Sequence, residues 1–254
     1  MKDVLCIIQA RMASKRLPGK SLMEFCDKPM LGHVIERVGR SRLINKVVIA
    51  TTKRKDDDAI ADLGAAMKTD VFRGSENDVL DRYYMCARKF TAGVVVRVTG
   101  DCPLIDPKVI DDTVRHFLEN NFDYVSNAYP DATYPDGLDT EVFSFNALEA
   151  AWKEAKLHSD REHVTPYIWK NRKGAFSLGA VRSHIDLSGK RWTVDNKADA
   201  EFMSAVYKNL YPCKADFTMA DVLWLLERNP ELERINSGAS RNEGYFKSLA
   251  EDGI

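Results

Sequence analysis

Four cations, Arg11, Lys15, Arg16 and Lys20, stand in the stretch IIQARMASKRLPGKSL (7–22), which holds no acid. They follow an apolar run, VLCII, that reads as a buried strand. In open parallel sheets ligands bind outside the carboxyl ends of the strands, and that is where this loop falls. A solvated basic turn is the plain reading; its place after the first strand favours a strongly anionic ligand. Pro18-Gly19 supplies a tight turn, and glycine lets backbone approach an anion closely. Arg11 and Lys20 are long enough to reach phosphate oxygens from either end of the loop. A carboxylate, Asp101, follows VVVRVTG at the end of another expected strand. It reads either as a turn aspartate bonding its own backbone or as a Mg2+ ligand, because Mg2+ takes one or two protein carboxylates plus phosphate oxygens. Asp195, in RWTVDNKADA, reads from position alone as the N-cap of the next helix.

Other constellations are weaker. GKS at 19–21 imitates the end of a P-loop, but Ser14 stands where the first glycine is required, and no G-x-G-x-x-G follows the first strand. His158 and His163 are five residues apart and do not stack on one helical face, so they read as helix surface or subunit contact rather than a zinc pair. Asp139 and Glu141 alternate on an expected strand and point to one face, which suits binding an acceptor's hydroxyls or plain solvation. Trp152, Trp169, Trp192 and Trp224 read as packing residues.

The elements that must position these residues alternate. Strand-like runs at 4–9, 46–52, 93–99 and 123–127 are separated by helical patterns at 29–41, 56–67, 76–90 and 106–121. Asp106 before Pro107 reads as an N-cap with proline at the first helical position. Short, continuous strands rich in valine and isoleucine indicate an α/β doubly wound, mostly parallel sheet covered on both faces. The second half predicts a strand running into a helix over 140–157, a single helix through SDREHVTPYIWKN, strands at 176–181 and 190–194, and helices in KADAEFMSAVYKNL and MADVLWLLERNP. No linker divides the chain. The expectation is one domain over 1–230 with a smaller appended subregion, then a loosely held polar tail over 231–254.

The 254 residues can bury a sizeable core. With 37 basic and 38 acidic side chains the net charge is −1, so no global field recruits nucleic acid or an anionic membrane. Five scattered cysteines without a CxxC pair argue against a disulfide framework or zinc site. No run approaches the length of a membrane span, and the first residues are too short in apolar character for a signal peptide, so a soluble cytoplasmic protein is expected.

QARMASKRLPGKSL closely resembles the signature loop of the nucleotidyltransferases in the KDO and acylneuraminate cytidylyltransferase branch, most of all the spore coat polysaccharide biosynthesis protein F family. VVIATT, VFRGSENDVLDRYY, VVRVTGDCPLIDP, GLDTEVFSFNALEAAW, REHVTPYIW and RWTVDNKADAEF look like that family's blocks in its order, over roughly residues 3 to 210. The resemblance implies a nucleotide-diphospho-sugar transferase-like, Rossmann-like sheet whose loop wraps the triphosphate of CTP. It places Gln9 and Ala10 at the base and ribose, Arg11 and Lys20 on the phosphates, and Ser14 and Arg16 within the same loop. RGSENDV sits where these enzymes close around the pyrimidine, so Arg73, Gly74, Ser75 and Asp78 become base contacts. Asp78 also reads as an acid in the first turn of a helix. The resemblance makes Asp101 and Asp195 the two carboxylates for Mg2+. Asp139 and Glu141 are left for the acceptor. Two departures stand out. Asp27 occupies a turn position where relatives usually have glycine, which aspartate tolerates. The paired-aspartate D-x-D motif of the acylneuraminate branch is not evident.

The expected activity is Mg2+-dependent transfer of CMP from CTP to a sugar or sugar-like acceptor with release of pyrophosphate, for a cell-surface or spore-coat polysaccharide, with Arg11, Lys20, Asp101 and Asp195 as catalytic residues. A homodimer is the expectation by analogy. The rival is a glycosyltransferase on a related fold that consumes a finished nucleotide sugar. Pyrophosphate release from CTP separates the two.

Overall fold

A computed structural model describes residues 3–14, 16–238 and 241–253. Lys15 lies outside them, as do positions 1–2, 239–240 and 254 of the chain. The first half contains β1 (Val4–Gln9), a short hairpin of β2 (Glu24–Phe25) and β3 (Lys28–Pro29), α1 (Met30–Gly39), β4 (Lys46–Thr52), α2 (Asp58–Ala66), β5 (Asp70–Gly74), α3 (Val79–Lys89), β6 (Val94–Thr99), α4 (Pro107–Glu119) and β7 (Tyr124–Ser126). The second contains β8 (Glu141–Ser144), α5 (Phe145–Glu154), α6 (His158–His163), α7 (Pro166–Lys170), β9 (Leu178–Ala180), α8 (Lys197–Leu210), α9 (Met219–Arg228), α10 (Glu231–Arg234) and α11 (Glu243–Glu251).

The large sheet has the order β5-β4-β1-β6-β8-β7-β9. β5, β4, β1 and β6 run parallel, and β8 runs antiparallel to both of its neighbours. Side chains alternate across a strand, so β1 feeds two cores. Leu5 and Ile7 join a cluster with Tyr83 and Cys86 of α3 and Leu148 of α5. Val4, Cys6 and Ile8 join the opposite cluster with Val34 of α1 and Ile110 and Val114 of α4. That double burial is why these strands read as unbroken apolar runs. A third cluster packs Trp192, Phe202 and Leu225 against Leu17, Phe25 and Met30, tying α8 and α9 to the basic loop.

The alternation expected from sequence is present, and Asp106 caps α4, accepting from the Lys108 amide at 2.8 Å, with Pro107 behind it. Other readings need correction. β5 does not appear among the expected strands because only one side of it is paired and its side chains are mostly half-buried. The strand expected at 190–194 reduces to a single bridge between Asp136 and Arg191. SDREHVTPYIWKN is two short helices, because Val164 takes φ 72° and Pro166 starts α7. A β-branched residue there is strained, and it turns the chain sharply. The hairpin between β2 and β3 places Cys26 and Asp27 at φ 50° and 60°, the left-handed pair that a tight two-residue turn demands. Among the described residues after Pro230, Glu231–Arg234 form α10 and Glu243–Glu251 form α11, where a loose tail was expected. The carboxylate of Asp252, just past α11, accepts from the amides of His158 and Ser159 at 2.9 and 3.0 Å, fastening that helix to α6.

Candidate active site

The basic loop is built from its own bonds. The amides of Ser14 and Gly19 both donate to the Met12 carbonyl, at 2.9 and 3.1 Å, and Ser21 Oγ donates to the Arg11 carbonyl at 3.2 Å. Ser14 Oγ accepts from the Leu17 amide at 3.3 Å. Gly19 takes φ 76°, a conformation natural to glycine, and starts a short 3-10 turn, Lys20–Leu22, that aims Lys20 inward. Buried Asp57 pins the other end, accepting from the Met12 amide at 2.7 Å and from the backbone and hydroxyl of Thr52.

Lys20 ends between two carboxylates. Its Nζ donates to Asp101 Oδ2 at 2.8 Å, Asp195 Oδ1 at 2.9 Å and the Val194 carbonyl at 2.8 Å. Two oxygens held by one nitrogen lie at most ~6 Å apart, so residues distant in sequence share one point at the sheet's carboxyl edge. Backbone joins the two segments: the Val194 amide donates to the Asp101 carbonyl at 2.9 Å, and Thr193 Oγ1 donates to the same oxygen at 3.2 Å. The segment carrying residues 191–193 is pressed against Gly137, where a Cβ would lie 2.5 Å from the Trp192 carbonyl carbon. Asp195 is not the helix cap. Asn196 caps α8 in a capping box with Asp199, which leaves the Asp195 carboxylate to face Lys20 and Arg16.

Burial works against charge on both sides of this centre, and the pairing overrides it. The Lys20 ammonium is raised above its usual pKa by Asp101 and Asp195 despite desolvation. The Asp101 carboxyl, also buried, is held down at about 2 by the Lys20 ammonium.

A cleft of about 400 Å3 opens beside this centre, bounded by Gln9, Asp101 and Asp195 on one side and by β8, α6 and the start of α11 on the other. Asp139 and Glu141 both line it, although Asp139 precedes the first residue of β8. Glu141 accepts from the Arg97 guanidinium, from Tyr124 Oη at 2.7 Å and from the Thr165 hydroxyl. Arg97 Nε also donates to Gln9 Oε1 at 3.2 Å, linking the two sides. Asp139 accepts from Arg241, just before α11. Burial pushes the Asp139 carboxyl up to about 7, Arg241 opposing and Asp136 and Glu141 adding to the rise. The strained Val164 turn places His163 and Thr165 on the cleft wall together. His163 Nε2 lies 3.0 Å from Ser248 Oγ of α11, and burial brings its pKa to about 4.

Arg16 also lines this cleft, whereas Ala10, Arg11, Ser14 and the base candidates are not among its lining residues. Arg11 pairs with Glu162 at 3.2 Å, and Ala10 is fixed by its amide to the Ala50 carbonyl at 3.2 Å. Arg16 pairs with Asp195 at 2.8 Å and Glu243 at 2.9 Å. Arg73, Gly74, Ser75 and Asp78 lie at the end of β5 and the entry to α3, on the far side of β4 and β1 from Asp101. There Arg73 donates to the carbonyls of Thr52 and Arg54 and pairs with Asp58. Asp78 caps α3 through the Asp81 amide at 2.9 Å and takes Arg161 on its other oxygen at 2.7 Å. Arg82, 2% exposed, reaches only the Ser75 carbonyl among the described residues, and burial lowers its pKa.

Arg82, Arg97, His163, Thr165, Arg191 and Arg241 were not singled out from sequence as site residues. A charge inside VVVRVT was a legible signal for Arg97, whereas nothing local marked Arg191 or Arg241. His158 is exposed near Glu251, while its former companion His163 turns into the cleft.

The comparisons with known proteins bear on this arrangement. A cytidylyltransferase family model matches residues 5–227. The chain belongs to the cytidylyltransferase family. It is 38% identical over 95% of its length to an uncharacterised protein of Methanocaldococcus jannaschii, of which it covers 97%. It is 33% identical over 91% of its length to spore coat polysaccharide biosynthesis protein SpsF of Bacillus subtilis, again covering 97% of that protein. A solved cytidylyltransferase from Leptospira borgpetersenii superposes with a TM-score of 0.88 at 32% identity, over 95% of this chain and all of that one. As a member of this family of enzymes, the chain is a nucleotidyltransferase, and its sheet is the expected nucleotide-diphospho-sugar transferase fold. Among the described residues, no helix is long and apolar enough to cross a membrane.

Proposed function

We propose that this cytidylyltransferase transfers CMP from CTP to a sugar-like acceptor and releases pyrophosphate. The observation that carries the reading is the Lys20 ammonium seated between Asp101 and Asp195, at the mouth of a cleft and beside an exposed basic loop. Arg11, Arg16 and Lys20 are the phosphate-binding cations, with Ser14 shaping the loop between them. Gln9 and Ala10 lie against the nucleoside. Arg73, Gly74, Ser75 and Asp78 form the pyrimidine wall, where the side chains of Arg73 and Asp78 act as braces.

Asp101 and Asp195 fit a Mg2+ ion in chemistry and placement. Their hard oxygens are what Mg2+ prefers, with phosphate oxygens and water completing the shell; direct ligation of one ion would bring them within ~4.2 Å of each other, with Lys20 Nζ displaced from between them. Asp101 Oδ2 accepts from Lys20, Oδ1 lies 3.7 Å from the Cys102 thiol, and the Thr99 hydroxyl also bonds the carboxylate, which lines the cleft. Bound there, the ion would add positive charge beside the triphosphate.

An acceptor oxygen attacks the α-phosphorus in line, and pyrophosphate leaves from the opposite side. Negative charge spreads over the phosphate oxygens, so positioning and fixed positive charge matter more than covalent chemistry. All three N–H groups of Lys20 are given to Asp101, Asp195 and the Val194 carbonyl, so it acts on the phosphates through its fixed charge or by exchanging one of these bonds. Asp139 and Glu141 receive the acceptor's hydroxyls. The relation to SpsF favours an acceptor destined for a spore-coat or cell-surface polysaccharide.

The test is to incubate the protein with each nucleoside triphosphate, Mg2+ and a panel of acceptors, and to measure pyrophosphate. Release from CTP that depends on acceptor supports transfer. No release from CTP, with free nucleotide appearing instead from a supplied nucleotide sugar, would identify a glycosyltransferase.

A further inference from the structure

The cleft wall opposite the nucleotide loop holds its positive charge in pairs. Arg97 is bonded to Glu141, and Arg241 to Asp139. Arg191 pairs with Asp136 at 2.9 Å, Asp199 at 3.0 Å and Asp195 at 3.1 Å. These guanidiniums are 16%, 18% and 9% exposed respectively. An acceptor carrying a carboxylate or phosphate would have to take one of them from its carboxylate.

Turning the loop cations toward a triphosphate adds no positive charge to this wall. The carboxylates, by contrast, accept hydrogen bonds when ionised, which is what hydroxyl and ammonium groups supply. Beside them is an aromatic surface: Trp169 stacks on Tyr129 at 4.3 Å and meets Tyr245 of α11 edge-on at 5.6 Å. Such rings pack the C–H faces of a polyol; the Lys170 ammonium already lies over both Trp169 and Tyr245, 5.9 and 5.6 Å from their centroids.

Building on the cytidylyltransferase reading, we propose that the acceptor is a polyhydroxylated compound that is neutral or carries an amine, not a sugar acid or sugar phosphate. Its hydroxyl or ammonium protons go to Asp136, Asp139 and Glu141, and its carbon skeleton lies against Trp169 and Tyr245. Burial is the main cause of the upward push on Asp139; Asp136 and Glu141 add to it, and a bound ammonium would relieve that repulsive part.

The experiment uses the full chain saturated with CTP and Mg2+. Charge ladders on hexose, ketose and alditol skeletons, each in neutral, amine, carboxylate and phosphate forms, are titrated by ligand-observed NMR. Neutral or amine forms should bind at least about tenfold more tightly than the matched anions. Asp139→Asn should narrow or invert that ratio, because it leaves the Arg241 guanidinium without its carboxylate and so offers an anion a partner. Anions that bind wild type as tightly as their matched forms overturn the proposal, and so does failure of every ladder to bind. CTP titrated separately into nucleotide-free, acceptor-free protein judges the nucleotide reading on its own, so failure of one is not mistaken for failure of the other.

Discussion

Arg11 and Arg16, on the loop after β1, are 41% and 45% exposed and meet their carboxylates near the surface. Across the cleft, Arg191 is 9% exposed and Arg97 16%, each locked to acids that are themselves largely buried. Exposed pairs are worth little and exchange readily, so the loop cations can leave their acids for a ligand. Buried pairs are costly to break, because the partner left behind is an uncompensated charge. One wall keeps its charge available and the other has it fixed into the fold. Lys20 joins the two: it is buried like the second wall but sits at the mouth of the first.

The sharpest way to break this contrast is on the buried wall. Arg191→Met should cost about 3–5 kcal/mol in denaturant unfolding, since Asp136 and Asp199 lose a shared guanidinium. A loss under about 1 kcal/mol would place Arg191 with the exchangeable cations. At the junction, Asp101→Asn and Asp195→Asn should each lower turnover by ~10²–10³-fold, the scale of one preorganised electrostatic contact. The double variant should be far less than additively worse if both serve one ion. Two folded variants that keep wild-type turnover would reduce the pair to a structural clasp.

On the open wall, Arg16→Ala should leave unfolding free energy within about 1 kcal/mol of wild type. It should weaken CTP binding by about tenfold, read by calorimetry, as a charge-assisted phosphate contact is lost. Unchanged CTP affinity would remove Arg16 from the nucleotide site. The smallest effect concerns His163. Its pKa is lowered from 6.5 to about 4, so the folded state binds fewer protons than the unfolded one between those values. The stability it contributes is complete above pH 6.5 and is lost as pH falls toward 4. His163→Gln should flatten that part of the stability curve, though not wholly, because buried His33 is shifted in the same direction for the same reason.

The difference between the walls also explains what could be read from the sequence. The loop is contiguous, so its four cations and Pro18-Gly19 announce themselves within sixteen residues. The parallel strands on that side are buried on both faces and leave unbroken apolar runs at 4–9 and 46–52. The wall proposed for the acceptor is assembled from β6, β8, α6, the 191–195 segment and α11, each contributing a few residues. Arg241 and Tyr245 belong to a stretch whose polar composition reads as a tail, because the apolar stripe of α11 is short and its partner, α6, is distant in sequence. Val164 gives no local sign of its φ, yet that turn aims both His163 and Thr165 into the cleft. Long-range packing imposes it, and single-sequence periodicity does not contain that information.

The proposed joint seat of ion and triphosphate is tested most directly by titrating CTP at rising Mg2+ concentrations into wild type and into the Asp101→Asn/Asp195→Asn variant, with folding checked by circular dichroism. If the two carboxylates hold the ion against the phosphates, each ligand must strengthen the other's binding. CTP affinity of wild type should then climb with Mg2+ beyond the rise set by formation of Mg–CTP in solution, and that of the variant should not. A variant whose CTP affinity responds to Mg2+ as wild type does would contradict the site.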